Sequence, residues 1–533
     1  MTDPAPPAAP AAPPSAWAPL AHKLFLALFL AQLASNVGTW MQNVGAQLLM
    51  VKLDPSPLPV ALVQTATSLP ILMVALPAGV LGDLIDRRKL LIASQTVMFV
   101  AAAVLAVLTA TDHVTPSTLL WLTFMLGLGN AVTIPAWSAI QPELVPRVEL
   151  RQAAALNGVN INLARAVGPA IGGLIVAAVG AEAVFALNAL SFIVVIVVLF
   201  VWRRTSTRSS LGPERAVPAL RAGLRYIRNS PRFRAVLVRS AVFIACASAL
   251  WALLPLVAVD QLELGSGGYG ILLGSLGVGA LLGAALLPRL QKALPLDRIV
   301  LVASLMFAVS TLVVATVSIV GVALVALLVG GCAWIFVLAS MNGTAQTILP
   351  AWVRARALAA YVLVFQGGQG IGALLWGVVA DRLSVRGALI AAGLGLVFGL
   401  SLARWHRLQP LGDFDPSLSL HWPEPAVVLQ PEDHTGPVLV TLDFRVAADQ
   451  VERFLAAMEP VGRARRRSGA SEWGVFRDAA EPDRFLETFV VPSWEDHLRQ
   501  HSERGTETDR RFEAAARELA LGEPVVSHLF LAR

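Results

Sequence analysis

Two clusters of residues carry the recognisable chemistry of this chain, and neither is built to break a covalent bond. The first lies between residues 79 and 89, where Gly79, Gly82, Asp83, Asp86, Arg87, Arg88 and Lys89 follow one another closely. Its glycines allow a close helix approach. A carboxylate such as Asp83 can face the partial positive charge of a helix N-terminus, and the arginines can hold carboxylates or lipid headgroups. The second cluster is Arg165, Gly168, Pro169, Gly172 and Gly173, set in an otherwise apolar run. Small residues there favour tight helix packing, and the proline removes a backbone hydrogen bond and permits a kink. A charge among apolar residues faces a cavity or a partner. The chemistry in both cases is reversible, non-covalent contact. No phosphate-binding Gly-x-x-x-x-Gly-Lys loop is present, which argues against a nucleotide-driven pump.

The elements that carry these clusters are a long series of apolar runs. Of the 533 residues, 56% are hydrophobic and 14% charged, and the mean hydropathy is +0.67. A helix needs about 20 apolar residues to cross the hydrocarbon core, and cutting at charged or Pro/Gly-rich loops leaves about twelve such segments. They fall near 20–50, 57–81, 89–110, 117–141, 152–179, 183–202, 233–258, 268–288, 298–318, 320–345, 357–380 and 387–404. The runs lack period-two alternation, which excludes a transmembrane β-barrel. The expected fold is an all-α polytopic membrane protein with a soluble tail.

The formal charge of +6 sorts by topology and gives no reason to expect nucleic acid. With the N-terminus in the cytoplasm, about nineteen Lys and Arg fall on inner loops and about three on outer ones. Both termini are therefore expected to be cytoplasmic, in the inner (plasma) membrane. Residues 1–19 are Ala/Pro-rich, carry Asp3 rather than a basic stretch, and read as a disordered leader instead of a signal peptide. The two cysteines, Cys246 and Cys332, lie in apolar runs without metal-like spacing. No metal and no cofactor are expected.

The apolar segments divide evenly around a basic linker, 203–232, giving halves 20–202 and 233–404. Within the linker Leu220, Leu224 and Ile227 share one helical face and Arg221, Arg225 and Arg228 another. That pattern predicts a short amphipathic helix lying on the anionic inner leaflet. The halves read as diverged copies. Gly79 to Gly82 is matched by Gly279 to Gly283, and Gln141-Pro142 with Arg147 and Arg151 is matched by Gln346, Pro350, Arg354 and Arg356. A parallel repeat of this kind is an architecture of alternating-access transporters.

The loop at 79–89 resembles the glycine, aspartate and basic-cluster motif of the major facilitator superfamily. Leu84 and Asp86 stand where that pattern more often has a basic residue and a glycine, a departure like that of the enterobactin-exporter-like (transmembrane secretion effector) branch. The Arg165 to Gly173 segment resembles the Gly-Pro and Gly-Gly signature of the superfamily's drug antiporters. Asn130, Pro135-Ala136-Trp137, Pro146, Ala155-Leu156-Asn157 and Phe185 to Phe192 are also similar to the exporter branch. The resemblance covers residues 20 to 404. It implies a twelve-helix (6+6) fold, alternating access and proton-coupled export, with the 79–89 loop as a conformational switch.

In that fold the first, fourth, seventh and tenth spans line the central cavity. The residues this implies are Asn36, Trp40, Gln42, Asn43 and Gln47, then Asn130 and Trp137, then Trp251, then Trp334, Asn342 and Gln346. Aromatic and amide groups suit a large amphipathic organic substrate. Arg165 is either a contact for an anionic substrate or proton coupling, or a structural arginine bonded to backbone carbonyls. No Asp or Glu stands inside a span, since Glu143, Glu182, Asp260 and Glu263 all fall near ends. No proton carrier is identified.

After a Pro-rich linker, 405–436, the composition becomes that of a charged globular domain, 437–533. Strands are expected at 438–446, 473–477, 484–491 and 524–531, and helices at 448–467 and 493–519. This βαββαβ order fits a ferredoxin-like α+β domain. The residues Arg467, Gly469-Ala470, Trp473 to Phe476, Asp483 to Glu487 and Ser493-Trp494 with His497 resemble the antibiotic-biosynthesis-monooxygenase-like domains of the dimeric α/β barrel group. Some relatives in that group oxidise aromatic substrates without a metal. Trp494 and His497 are the tail candidates, and as packed helix residues they would be inert. The tail is expected to dimerise or regulate rather than catalyse.

The leading expectation is a secondary exporter, not an enzyme, of a siderophore-like or drug-like small molecule. Its partners are protons, membrane lipids and a second copy bound through the tail. The alternatives are a membrane-tethered, cofactor-independent oxygenase and a tail-regulated sensor-transporter.

Overall fold

The computed structural model describes residues 15, 17–84, 86–202, 216–408, 412, 414–422, 425 and 436–531. The expected leader lies mostly outside these residues; its described end, Ala18–Ala21, is a 3-10 turn. The chain is predominantly helical. The first set of helices is α1 (Lys23–Leu53), α2 (Pro57–Leu84), α3 (Arg87–Ala110), α4 (Pro116–Leu144), α5 (Leu150–Val179) and α6 (Ala181–Val201). A short helix α7 (Ala216–Asn229) follows, then α8 (Pro231–Leu256), α9 (Ser266–Ala293), α10 (Leu296–Thr316), α11 (Val320–Ile348), α12 (Ala351–Arg382) and α13 (Val385–Gly399).

Eleven of these are long and apolar enough to cross a membrane among the described residues. The expected twelfth span is the exception. Its α-helix, α13, has 15 residues, and the chain reaches Arg404 only through a 3-10 extension.

Local sequence sets the helix ends. Thr115 opens α4 with a capping box closed by Thr118. Gly180 serves as the single residue between α5 and α6 and takes φ +101°, a conformation that disfavours a β-carbon. Pro169 sits inside α5 and leaves the Arg165 carbonyl without its helical donor.

The two helix sets pack alike. α1 lies against α5 and α6, α2 against α4, and α3 against α4 and α6. The same pairings recur as α8 with α12 and α13, α9 with α11, and α10 with α11 and α13. The sets meet chiefly where α2 packs on α12 and α5 on α9. At the second seam a β-carbon on Gly173 would lie 2.5 Å from Gly270 Cα, so the backbones touch.

The tail forms a four-stranded antiparallel sheet in the order β2-β3-β1-β4. Its elements are β1 (Val438–Arg445), α14 (Val451–Ser468), β2 (Glu472–Arg477), β3 (Arg484–Val491), α15 (Trp494–Arg499), α16 (Glu507–Arg517) and β4 (Val525–Phe530). Alternate residues of β1 and β3 are buried, and Val440, Phe444, Phe485 and Phe489 form a core with Phe454 and Met458 of α14.

Helix α7 forms as read; Ala222, Gly223 and Tyr226 are buried, Leu224 is 57% exposed, and the helix packs against α12 and α14. One expectation is corrected here. The segment 414–422 of the expected linker is part of the tail: Ser419 N donates to Gly505 O at 2.9 Å, and Asp415 N to Thr508 Oγ1 at 2.8 Å.

Candidate functional site

A cavity of about 530 Å³ lies between the two helix sets, walled by α5, α8, α9 and α11. Four of the expected residues line it: Arg165, Pro169, Trp251 and Trp334. The arginine and the tryptophan rings form a ladder with Trp40. The Arg165 guanidinium stands 5.5 Å over the Trp40 ring, Trp40 is 6.4 Å from Trp251, and Trp251 is 5.2 Å from Trp334. Phe243, Phe307 and Phe365 pack behind Trp334. Arg165 Nε, Trp251 Nε1 and Trp334 Nε1 are all buried without a hydrogen-bond partner. No Asp or Glu lines the cavity, and Arg165 has no carboxylate or carbonyl partner among the described residues. The site is therefore an apolar and aromatic chamber supplied with hydrogen-bond donors.

The remaining cavity candidates are dispersed. Asn36, Gln42, Asn43 and Asn130 line a separate polar cavity of about 40 Å³ within the first helix set. Asn36 Nδ2 donates to Asn160 Oδ1 at 2.8 Å, and Asn188 Nδ2 to Gln42 Oε1 at 2.5 Å. A volume of this size suits a water or two rather than an organic molecule. Gln47 instead accepts from the Tyr269 hydroxyl across the seam between the sets. Trp137 Nε1 donates to Asn157 Oδ1 at 3.3 Å. Asn342 and Gln346 are exposed and bonded to each other, with Nε2 to Oδ1 at 3.0 Å.

In the 79–89 loop, the side chains of Gly79, Gly82, Asp83 and Arg87 fall outside the described ones. Asp86 caps a helix: its Oδ1 accepts from Arg88 N at 2.9 Å and Lys89 N at 3.2 Å at the start of α3. Arg88 reaches the other way and donates from Nε to Leu199 O at 2.7 Å and from Nη2 to Phe200 O at 3.0 Å. It neutralises the C-terminal end of α6. In the second motif, Gly168 faces Trp40, Gly172 faces Met41 and Gly173 faces Gly270, so α5 is clamped between α1 and α9.

The tail holds a cavity of about 320 Å³ between sheet and helices. His497 lines it and is buried, as is Trp494 at 5.4 Å from it. Arg465 is the polar centre. Its Nε donates to Glu487 Oε1 at 3.0 Å and its Nη1 to Glu513 Oε1 at 2.7 Å. Trp473 and Trp422 complete the shell, donating to Glu487 at 2.9 Å and Glu513 at 2.8 Å. Burial opposes the charge on Arg465, but the two glutamates outweigh it and push its pKa up. Burial likewise favours protonated Glu513, yet Arg465, His421 and Trp422 hold its carboxyl down to about 2. His501, His528 and Trp422 join His497 around the cavity, and the sequence reading did not name them. The spacing of His497 and His501, four residues apart on one helical face, was the available signal; His528 and Trp422 arrive from distant segments.

The tail docks on the helical bundle. The Arg504 guanidinium lies 5.2 Å over the Trp352 ring at the start of α12, and that of Arg467 6.0 Å over Tyr226 of α7.

Comparison with known proteins places this geometry. A family model described as Transmembrane secretion effector matches residues 14–533. The chain is similar to the staphyloferrin A transporter of Staphylococcus aureus, with 23% identity over 277 residues, 52% of this chain and 70% of that protein. It is similar to the enterobactin exporter EntS of Salmonella typhimurium, with 26% identity over 414 residues, 74% of this chain and 96% of that one. Among solved structures, a bacterial homologue of the human lysosomal transporter Spinster, in an inward-facing and unoccupied conformation, shares the fold. The TM-score is 0.58 and the identity 14%, over 72% of this chain and 96% of that chain.

Proposed function

The chain belongs to the transmembrane secretion effector family of major facilitator transporters, and from that premise we propose that it exports an anionic, acceptor-rich small molecule of the siderophore type. The observation that carries this reading is the donor set of the chamber between the helix sets. Arg165 Nε, Trp251 Nε1 and Trp334 Nε1 are buried and unpaired. An unpaired buried donor is costly unless a ligand satisfies it, and a guanidinium beside aromatic faces suits carboxylate or catecholate oxygens on aromatic rings. The siderophore transporters to which the chain is similar support the same class. A neutral lipophilic drug would use the aromatic ladder and leave Arg165 unanswered.

Transport follows from a rocking of two six-helix halves in a twelve-helix (6+6) arrangement. Substrate enters from the cytoplasm, where both termini lie, and the proton gradient drives its release outside. The repeated packing of α1–α6 and α8–α13 supports this arrangement. The tail's strand order and βαββαβ sequence support the ferredoxin-like reading. Its contacts with α7 and α12 favour regulation of transport over independent oxygenase chemistry. The sheet face away from the helices leaves Val525 68% and Leu529 51% exposed, which supports dimerisation through the tail.

The experiment is accumulation of a labelled catecholate siderophore and of a lipophilic dye in inside-out vesicles, with and without a proton ionophore. Siderophore accumulation abolished by the ionophore is expected. Accumulation of the dye alone, or uptake indifferent to the ionophore, contradicts the substrate class or the coupling respectively.

A further inference from the structure

The tail carries a histidine cluster that transport does not use. His497 belongs to α15, His501 to the π-helical turn that continues it, and His528 to β4. One ring nitrogen from each lies within 4.8 Å of the others. The rings are close, with centroids of His497 4.7 Å from His501 and 4.9 Å from His528.

Neighbouring hydrogen bonds determine the tautomer of His497. Ser468 Oγ donates to the Arg465 carbonyl at 3.1 Å and so accepts from Gln500 Nε2, also at 3.1 Å. Gln500 must then turn its Oε1 toward His497, whose Nδ1 donates to it across 3.2 Å. The proton of neutral His497 is held on Nδ1, and its Nε2 presents a lone pair. That lone pair faces His501 Nε2 at 3.2 Å, and His528 Nε2 is buried without a hydrogen-bond partner.

We propose that His497, His501 and His528 bind one divalent transition-metal ion of the zinc class, with a coordination position open to the tail cavity. Metal–nitrogen bonds of about 2.0–2.1 Å set tetrahedral ligand nitrogens roughly 3.4 Å apart. The His497–His501 pair already stands near that separation, and the His528 nitrogen, within 4.8 Å of the others, has at most about 1.4 Å to close to reach it. Three imidazoles select zinc, cobalt or nickel over magnesium or calcium, which prefer oxygen. Gln500 does for His497 what an outer-shell partner does for a metal-bound histidine, fixing the ring and the proton. The open position faces the cavity lined by Trp422 and Val526, so an additional ligand of the ion can be a small molecule. The ion is a resident of the tail and is independent of the substrate assigned to the transport chamber.

The test uses the full-length protein in detergent, stripped with a chelator and titrated with Co²⁺ (visible absorption) and Zn²⁺ (calorimetry). One ion per chain is expected, bound in the wild type and in the control His113→Ala. His501→Ala and His528→Ala should each remove the stoichiometric site, and Gln500→Ala should weaken it roughly ten- to a hundredfold. His501→Cys keeps a ligand atom and should restore Co²⁺ binding with a thiolate charge-transfer band, which a misfolded tail would not give. Absence of stoichiometric binding by a wild-type chain with a folded tail overturns the proposal. So does binding undiminished in the His501→Ala, His528→Ala double variant, which would place the ion elsewhere and leave the 3.2 Å contact an ordinary hydrogen bond.

Discussion

Gly173 of α5 and Gly270 of α9 meet backbone to backbone, with the β-carbon position of the first 2.5 Å from the Cα of the second. This contact holds the two helix sets together at the end of the bundle away from the tail, while the chamber around Arg165 lies further along the same helices. With no side chain between them the two helices can close tightly at this point, and parting them also breaks the bond from the neighbouring Tyr269 hydroxyl to Gln47.

Gly173→Val should therefore abolish or strongly slow transport with the protein still inserted. The added carbons have no space, and overpacking costs about 1–3 kcal/mol. Vesicle transport normalised to membrane content checks this; wild-type rates would refute the role of the seam.

Arg165→Gln should lower transport of an anionic substrate roughly ten- to a hundredfold, the worth of one charge-assisted hydrogen bond of about 1.5–3 kcal/mol. Because the Arg165 Nε has no hydrogen-bond partner among the described residues and the Trp40 ring keeps its packing, thermal stability in detergent should hold or rise. A large loss of stability with transport intact would make Arg165 structural.

Arg465→Met should destabilise the tail by about 3–5 kcal/mol, since it leaves Glu487 and Glu513 buried without their cation. Hydrogen exchange of tail peptides in the full chain measures this. Equal loss of protection in the bundle helices would mean that the domains unfold together.

Acid should loosen the tail in the apo protein. The folded His497 is pushed down from 6.5 to about 3, so the unfolded chain binds the extra proton. Its contribution is complete above about pH 6.5 and drains away as pH falls toward 3. Glu513, held down from 4.5 to about 2, adds a second loss as pH falls through that lower window. Near-UV circular dichroism of the chelator-treated chain between pH 8 and 4 should show the first phase, and a signal flat to pH 4 would contradict it.

Deletion after Gln409 should retain some efflux while altering its rate, because the tail covers α7 and α12 but lends no described residue to the wall of the cavity between the helix sets. Complete loss of transport from a well-inserted truncate would favour the tethered-enzyme alternative.

Much of this architecture is legible along the chain because a bilayer imposes a one-dimensional rule. Each span must satisfy its own backbone bonds and expose apolar side chains for about 20 residues, so hydropathy alone locates it. α13 escaped that rule only in its length, the helix giving way to a 3-10 turn before Arg404. The tail strands were equally readable, since burial on β1 and β3 alternates with period two. Which polar groups share a space obeys no such local rule. Asn36 and Trp251 looked alike as members of cavity-lining helices, yet rotation of α1 turns Asn36 into the interior of its own helix set, while Trp251 faces the partner set. The histidine cluster unites residues 497, 501 and 528 because antiparallel pairing of β4 on β1 sets the position of His528 beside α15. Local periodicity determined the elements of this protein; the packing of helix faces and sheet edges against one another decided its sites.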